Sequence, residues 1–100
     1  MAMMEISVVP LGTGSPSVSR YVAGAVKILK EEPGITYELT AMGTVVVGDV
    51  DTLLSLAARM HRSALEAGAL RAVTTIKIDE RTDKPLTIDG KKRAVNEKLG

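Results

Sequence analysis

The groups able to do chemistry in this chain cluster in three short stretches, Glu5-Ile6-Ser7, Glu38-Leu39-Thr40 and Thr74-Thr75-Ile76-Lys77. In an extended backbone, residues two apart share a face, so Glu5 with Ser7, Glu38 with Thr40 and Thr75 with Lys77 point to one side of a sheet. Two carboxylates on one surface suit general acid–base work only with a raised pKa and a positioned substrate. Without those, they are solvated or orient a ligand. The loop Gly12-Thr13-Gly14-Ser15-Pro16-Ser17 is a second candidate, because small residues free its backbone amides just ahead of an apolar, helix-like run. That setting serves an anion cradle or a plain turn and helix cap. Ser17 stands where a dinucleotide fingerprint has its third glycine, and no lysine closes the loop as in a phosphate-binding P-loop.

Other chemistries lack their residues. The chain has no cysteine, which removes disulfides, thiolate metal sites and cysteine nucleophiles, and it fits a reducing cytoplasm. His61 is the single histidine and sits near an apolar helical stripe with no partner set around it, so it reads as a hydrogen-bonded structural residue. No cofactor and no metal are expected. Tyr21 and Tyr37 are the only aromatic side chains, so the stacking platform of an RNA-binding sheet is missing. Lys91-Lys92-Arg93 reads as a solvated helix face, and with 13 basic against 12 acidic residues no field draws the chain to nucleic acid or membrane.

The elements that must position these groups follow from periodicity. Met4, Ile6 and Val8 alternate with Glu5 and Ser7, a first strand with one core face. Val18, Tyr21, Val22, Ala25, Val26 and Leu29 recur at three- and four-residue spacing, which predicts a helix from about Pro16, capped by Ser15, to about Glu32, stopped by Pro33-Gly34. Ile35, Tyr37 and Leu39 alternate again, with Tyr37 toward the core, and Thr44-Val45-Val46-Val47 completes a hairpin turning near Met42-Gly43. Asp49 or Asp51 can cap a second helix with Leu53, Leu54, Ala57, Met60, Ala64 and Leu65 on its apolar side, ending at Gly68. A fourth strand, about Arg71 to Asp79, follows. After a charged loop from Glu80 to Thr87, Ile88, Val95 and Leu99 suggest a short third helix.

That order is the βαββαβ of the ferredoxin-like α+β fold: a four-stranded antiparallel sheet, two helices on one face, and an added C-terminal helix. One hundred residues, 45% apolar and 25% charged, fit a single domain over residues 1–100. The start, Met1-Ala2-Met3-Met4-Glu5, has no basic leader and reaches Pro10 after a short apolar run, so it reads as a strand and not as a signal peptide or spanning helix. The helices leave the other sheet face bare, with Glu5, Ser7, Glu38, Thr40, Thr75, Lys77, Val9 and Val73 as its expected occupants. A small polar ligand or a second subunit could use that surface, and strands rich in Val45, Val46 and Val47 are expected as edges that invite pairing.

The stretches "EISVVPLGTGSPSVSRYVA", "YELTAMGTVVVGDVD" and "VTTIKIDERTDKPLT", in this order over nearly the whole chain, resemble the signatures of the small thiamine-binding-protein family. The resemblance implies a ferredoxin-like protomer that forms dimers and often tetramers and binds thiamine or its hydroxymethylpyrimidine part without known catalysis. For such a ligand, Glu5 or Glu38 would meet the cationic ring. Ser7, Thr40, Thr44, Thr74 and Thr75 would serve the pyrimidine edge, and Met42 would cover a ring face. Thr13 and Ser15 would lie in a turn whose hydroxyls remain available to the ligand's polar end. The expectation is a cytoplasmic, non-catalytic binding protein. A regulatory or scaffolding homo-oligomer without a small ligand is the alternative.

Overall fold

The longest strand, β1 (Ala2–Leu11), is the spine of the sheet, and its alternation divides the molecule into two sides. A computed structural model describes all residues 1–100. The other elements are α1 (Ser19–Lys30), β2 (Thr36–Leu39), β3 (Thr44–Gly48), α2 (Val50–Glu66), β4 (Arg71–Glu80) and α3 (Ile88–Leu99). The strands form one antiparallel sheet in the order β2-β3-β1-β4, the ferredoxin-like arrangement with α3 added. Ala2, Met4 and Ile6 of β1 and Val46 of β3 face the helices and pack on Ala25 and Leu29 of α1 and on Leu53, Leu56, Ala57 and Met60 of α2. No helix is long and apolar enough to cross a membrane.

Local chemistry explains the element ends. The Asp49 carboxylate caps α2, accepting from the amides of Asp51 and Thr52 at 3.2 and 3.4 Å, and Gly68 takes φ +109° just after the helix. The inward stripe of α2 runs through Leu53, Leu56, Ala57, Met60 and Ala64. Leu54 and Leu65, expected inside, stay on its flank, 48% and 41% exposed. The start of α1 also differs from the expectation. The helix begins at Ser19 behind Val18 with no side-chain cap, while Ser15 Oγ accepts from the Ser17 amide at 3.1 Å inside the preceding loop. With the helix starting four residues beyond it, the Ser15 hydroxyl closes a local turn instead.

Two further expectations are corrected by strand order and register. The valine-rich β3 is interior, between β2 and β1, so the exposed edges are β2 and β4. Tyr37 pairs with Val46 and so belongs to the helix side, but it lies on the edge strand and remains 36% exposed. Register puts Glu5, Ser7, Val9, Glu38, Val73, Thr75 and Lys77 on the open face, as their alternation predicts. α3 touches this same face through its first half: Lys91 Nζ donates to Asp79 on β4, and Lys92 Nζ donates to Glu38 on β2 at 3.4 Å. The two lysines thus reach opposite edges of the sheet, yet α3 buries none of its own residues.

Candidate functional site

The site begins where two strands of unequal length part company. β1 pairs with β4 along all ten residues, but its ladder to β3 ends at Ile6 and Thr44. From Ser7 to Leu11, the side of β1 that faced β3 has no strand beside it, so peptide groups on that side are left free to hydrogen bond. The β2–β3 turn closes on itself here: Thr40 donates to the Gly43 carbonyl from both its amide (2.8 Å) and its hydroxyl (2.7 Å). Its backbone comes so close to β1 that a Cβ on Gly43 would stand 3.1 Å from the Ile6 carbonyl oxygen.

Between this turn, the unpaired stretch of β1 and α1 lies a cavity of about 250 Å³. Val18 at the start of α1, Val22, Ala25 and Val26 within it, Leu39 of β2 and Met60 of α2 give it apolar walls, while Thr40, Thr44 and the backbone of Ser7, whose side chain turns to the open face, are its polar edge. Thr44 is the single buried polar residue of the protein, 4% exposed. No charged side chain lines the cavity. It continues along α1 as a shallow groove past Val22 and Val26 to Lys27, Lys30 and Glu31. Apolar walls on two sides with donors and acceptors along one edge suit a flat, neutral heteroaromatic ring.

Of the residues expected at a site, the cavity gathers Ser7, Thr40, Met42 and Thr44. The Thr40 hydroxyl is already engaged, donating to Gly43 and accepting from the Met42 amide, and Met42 is 89% exposed at the mouth. The rest lie elsewhere. Glu5 and Glu38 are on the open face beside lysines, with Lys77 Nζ 3.7 Å from Glu5 and Lys92 Nζ 3.4 Å from Glu38. Thr75 is on that face too, whereas Thr74 turns to the helix side, where its Oγ1 lies 2.7 Å from His61 Nδ1. This bond fits the structural role expected of His61. Thr13 and Ser15 serve the loop: Thr13 Oγ1 donates to the Ser15 carbonyl at 3.0 Å, and Gly12 and Gly14 hold φ of +72° and +78°.

Sequence reasoning missed the α1 wall and the free edge of β1. The wall left a signal: Val22, Ala25 and Val26 are the inward residues over this stretch of α1 and none is larger than valine, which leaves room between the layers. No group of three His, Cys, Asp or Glu side chains is gathered where it could hold a metal ion.

Comparison with known proteins shows what the whole chain is similar to. The profile of a family described as thiamine-binding protein matches residues 4–96. The UPF0045 protein YqgV of Bacillus subtilis is 38% identical, with 99% of this chain and 98% of that protein covered. A UPF0045 protein of Methanothermobacter thermautotrophicus is 41% identical, covering 99% of this chain and all (100%) of the other. The crystal structure of the hypothetical protein MJ1052 from Methanocaldococcus jannaschii superposes with a TM-score of 0.87 at 41% identity, over 96% of both chains. A Thermotoga maritima protein described as a putative thiamine biosynthesis/salvage protein shares the fold at a TM-score of 0.77 and 22% identity, over 94% of this chain and 97% of that one.

Proposed function

The chain belongs to the thiamine-binding protein family, and on that premise we propose that it is a non-catalytic, cytoplasmic binding protein for thiamine or a related pyrimidine such as hydroxymethylpyrimidine. The uncharged cavity beside the free edge of β1 carries this reading. An aminopyrimidine alternates donors and acceptors around a flat ring, and the peptide groups of Ser7 to Val9 with the Thr44 hydroxyl offer the complementary set. Val22, Val26 and Leu39 supply contacts for the ring faces. The thiazolium of thiamine, a cation, does not belong among apolar walls and points to the mouth, under Met42 and toward Glu31 in the groove. Glu5 and Glu38, on the other side of the sheet, act on the ligand only if it binds at the open face.

A role in binding without turnover is supported by the family's description and by polar groups that are hydroxyls and peptides. Calorimetric titration with thiamine and with hydroxymethylpyrimidine tests the proposal. Saturable heat with either is the expected result, and no heat and no thermal shift with both at millimolar concentration overturns it.

Self-association as a homodimer or homotetramer belongs to the same reading and is supported by two separate apolar surfaces. On the helix side, Leu54 and Leu65 of α2 and Ile76 and Ile78 of β4 are each 39–48% exposed. On the open face, Val9, Leu11 and Val73 are 37–45% exposed. Patches on opposite sides of a protomer call for two kinds of contact, which a dimer of dimers supplies. The same surfaces favour the second reading, an oligomer acting as a scaffold with no small ligand. Light scattering together with the titration separates the two.

A further inference from the structure

The groove that leaves the cavity along α1 changes character at its far end. Two rows of side chains border it from the helix, each stepping by four residues and so following one line of the helix surface. The row shared with the cavity is Val18, Val22 and Val26, and then Lys30. The other is Ser19 and Ala23, and then Lys27 and Glu31. Both rows are apolar or small until the last turn, where they become charged. Leu39 and Thr40 line cavity and groove alike, so the two are one continuous space with an uncharged inner end and a charged outer end.

The protein does not use these charges itself. Its ion pairs join Glu32 to Arg59, Arg81 to Asp83, and Lys77, Lys91 and Lys92 to carboxylates of the open face. Lys27, Lys30 and Glu31 take part in none of them, although Lys27 and Glu31 stand four residues apart on the helix. The carbonyl end of α1 lies here as well, and its dipole works against a lone anion. Two lysines with one carboxylate beside a helix C-terminus therefore suit a ligand that carries charges of both signs. At 1.5 Å per residue, Lys27 and Lys30 stand roughly 7 and 12 Å along the axis beyond Val22 on the cavity wall. A ligand reaching them needs a second ring and an arm beyond the ring held in the cavity.

Resting on the small-molecule reading above, we propose that the site takes its ligand as a phosphate ester: a zwitterion of the thiamine monophosphate type, with the uncharged ring in the cavity, the cationic ring beside Glu31 and the phosphate between Lys27 and Lys30. The ring in the cavity supplies the desolvated contacts, and the lysines select the phosphorylated form. Both lysines are exposed, so each contact is screened and modest. Together they should tighten binding about 5- to 30-fold over the unphosphorylated ligand.

Calorimetric titration with thiamine, thiamine monophosphate, hydroxymethylpyrimidine and inorganic phosphate tests this. The monophosphate should bind more tightly than thiamine, by a ratio that shrinks as ionic strength rises, and inorganic phosphate should give no saturable heat. Lys27→Gln with Lys30→Gln, two exchanges to a residue that suits an exposed helix, should bring thiamine and its ester within about twofold of each other while the melting temperature holds. Equal affinities for thiamine and its ester in the unmodified protein overturn the proposal and leave the binding function standing. So does heat with hydroxymethylpyrimidine but with neither thiamine nor its ester. A preference for the ester that persists in the double variant overturns it, as does inorganic phosphate binding as tightly as the ester. No heat with any of the three organic ligands or with phosphate overturns both this proposal and the function beneath it.

Discussion

Thr44→Val separates the cavity from the open face as the seat of the ligand. The substitution keeps the shape of the side chain and removes its hydroxyl at a position 4% exposed, on the wall of the cavity. A pyrimidine edge that loses its partner in a desolvated pocket forfeits about 1–3 kcal/mol, because water cannot replace the missing group. At 1.4 kcal/mol per tenfold, that is a Kd weaker by about 5- to 150-fold. The fold should hold, since a buried hydroxyl exchanged for a methyl opens no hole and the core around Ile6 and Val46 is untouched. Titration calorimetry on the variant, with a thermal melt as the control, reads both quantities. The matched comparison is Glu38→Gln on the open face, where the carboxylate is about half exposed and already faces Lys92; there the affinity should move less than about twofold, because an exposed, screened charge contributes little. An unchanged Kd for Thr44→Val together with a large loss for Glu38→Gln would refute the cavity and return the site to the open sheet face.

Three further outcomes follow from the packing and the charges. Gly48→Ala places a Cβ 3.0 Å from Ile35 Cγ2 and 3.5 Å from Leu53 Cδ2, so the variant should lose about 1–3 kcal/mol from overpacking, measured by urea unfolding at an unchanged m-value. Asp49→Ala removes the acceptor for the amides of Asp51 and Thr52 and should destabilise by about 1 kcal/mol, seen as a lower melting temperature with ligand affinity retained. Hydrogen bonding from Arg81 holds the Asp83 carboxyl below its ordinary value of 3.8. With a depressed folded value, this stabilisation is complete above the ordinary aspartate range and is lost as pH falls through the depressed value. Asp83→Asn should therefore lower the melting temperature slightly at neutral pH, flatten the acid limb of a plot of melting temperature against pH, and leave the most acid region unchanged.

What the sequence determined by itself is what depends on near neighbours along the chain. Alternation in Met4-Glu5-Ile6-Ser7 sorts two sheet faces, and the three- and four-residue spacing of Val18 to Leu29 and Leu53 to Ala64 makes two helices. Asp49 and Gly68 mark the limits of the second. These periods are set by local backbone geometry, so they survive without knowledge of any partner. The order of elements then restricts the topology, and three ordered signatures point to the family. The cavity was beyond that reach. It exists because β1 outruns β3 by five residues, a property of register, and register is decided only when segments far apart in sequence meet. Pairs such as Lys92 with Glu38, 54 residues apart, and His61 with Thr74 likewise have no local signature. The same holds for which hydroxyl is free: Thr40 is committed by the local hairpin turn to Gly43, but Thr44 and Thr74 look alike in sequence, and tertiary structure alone buries one against a cavity and bonds the other to a histidine.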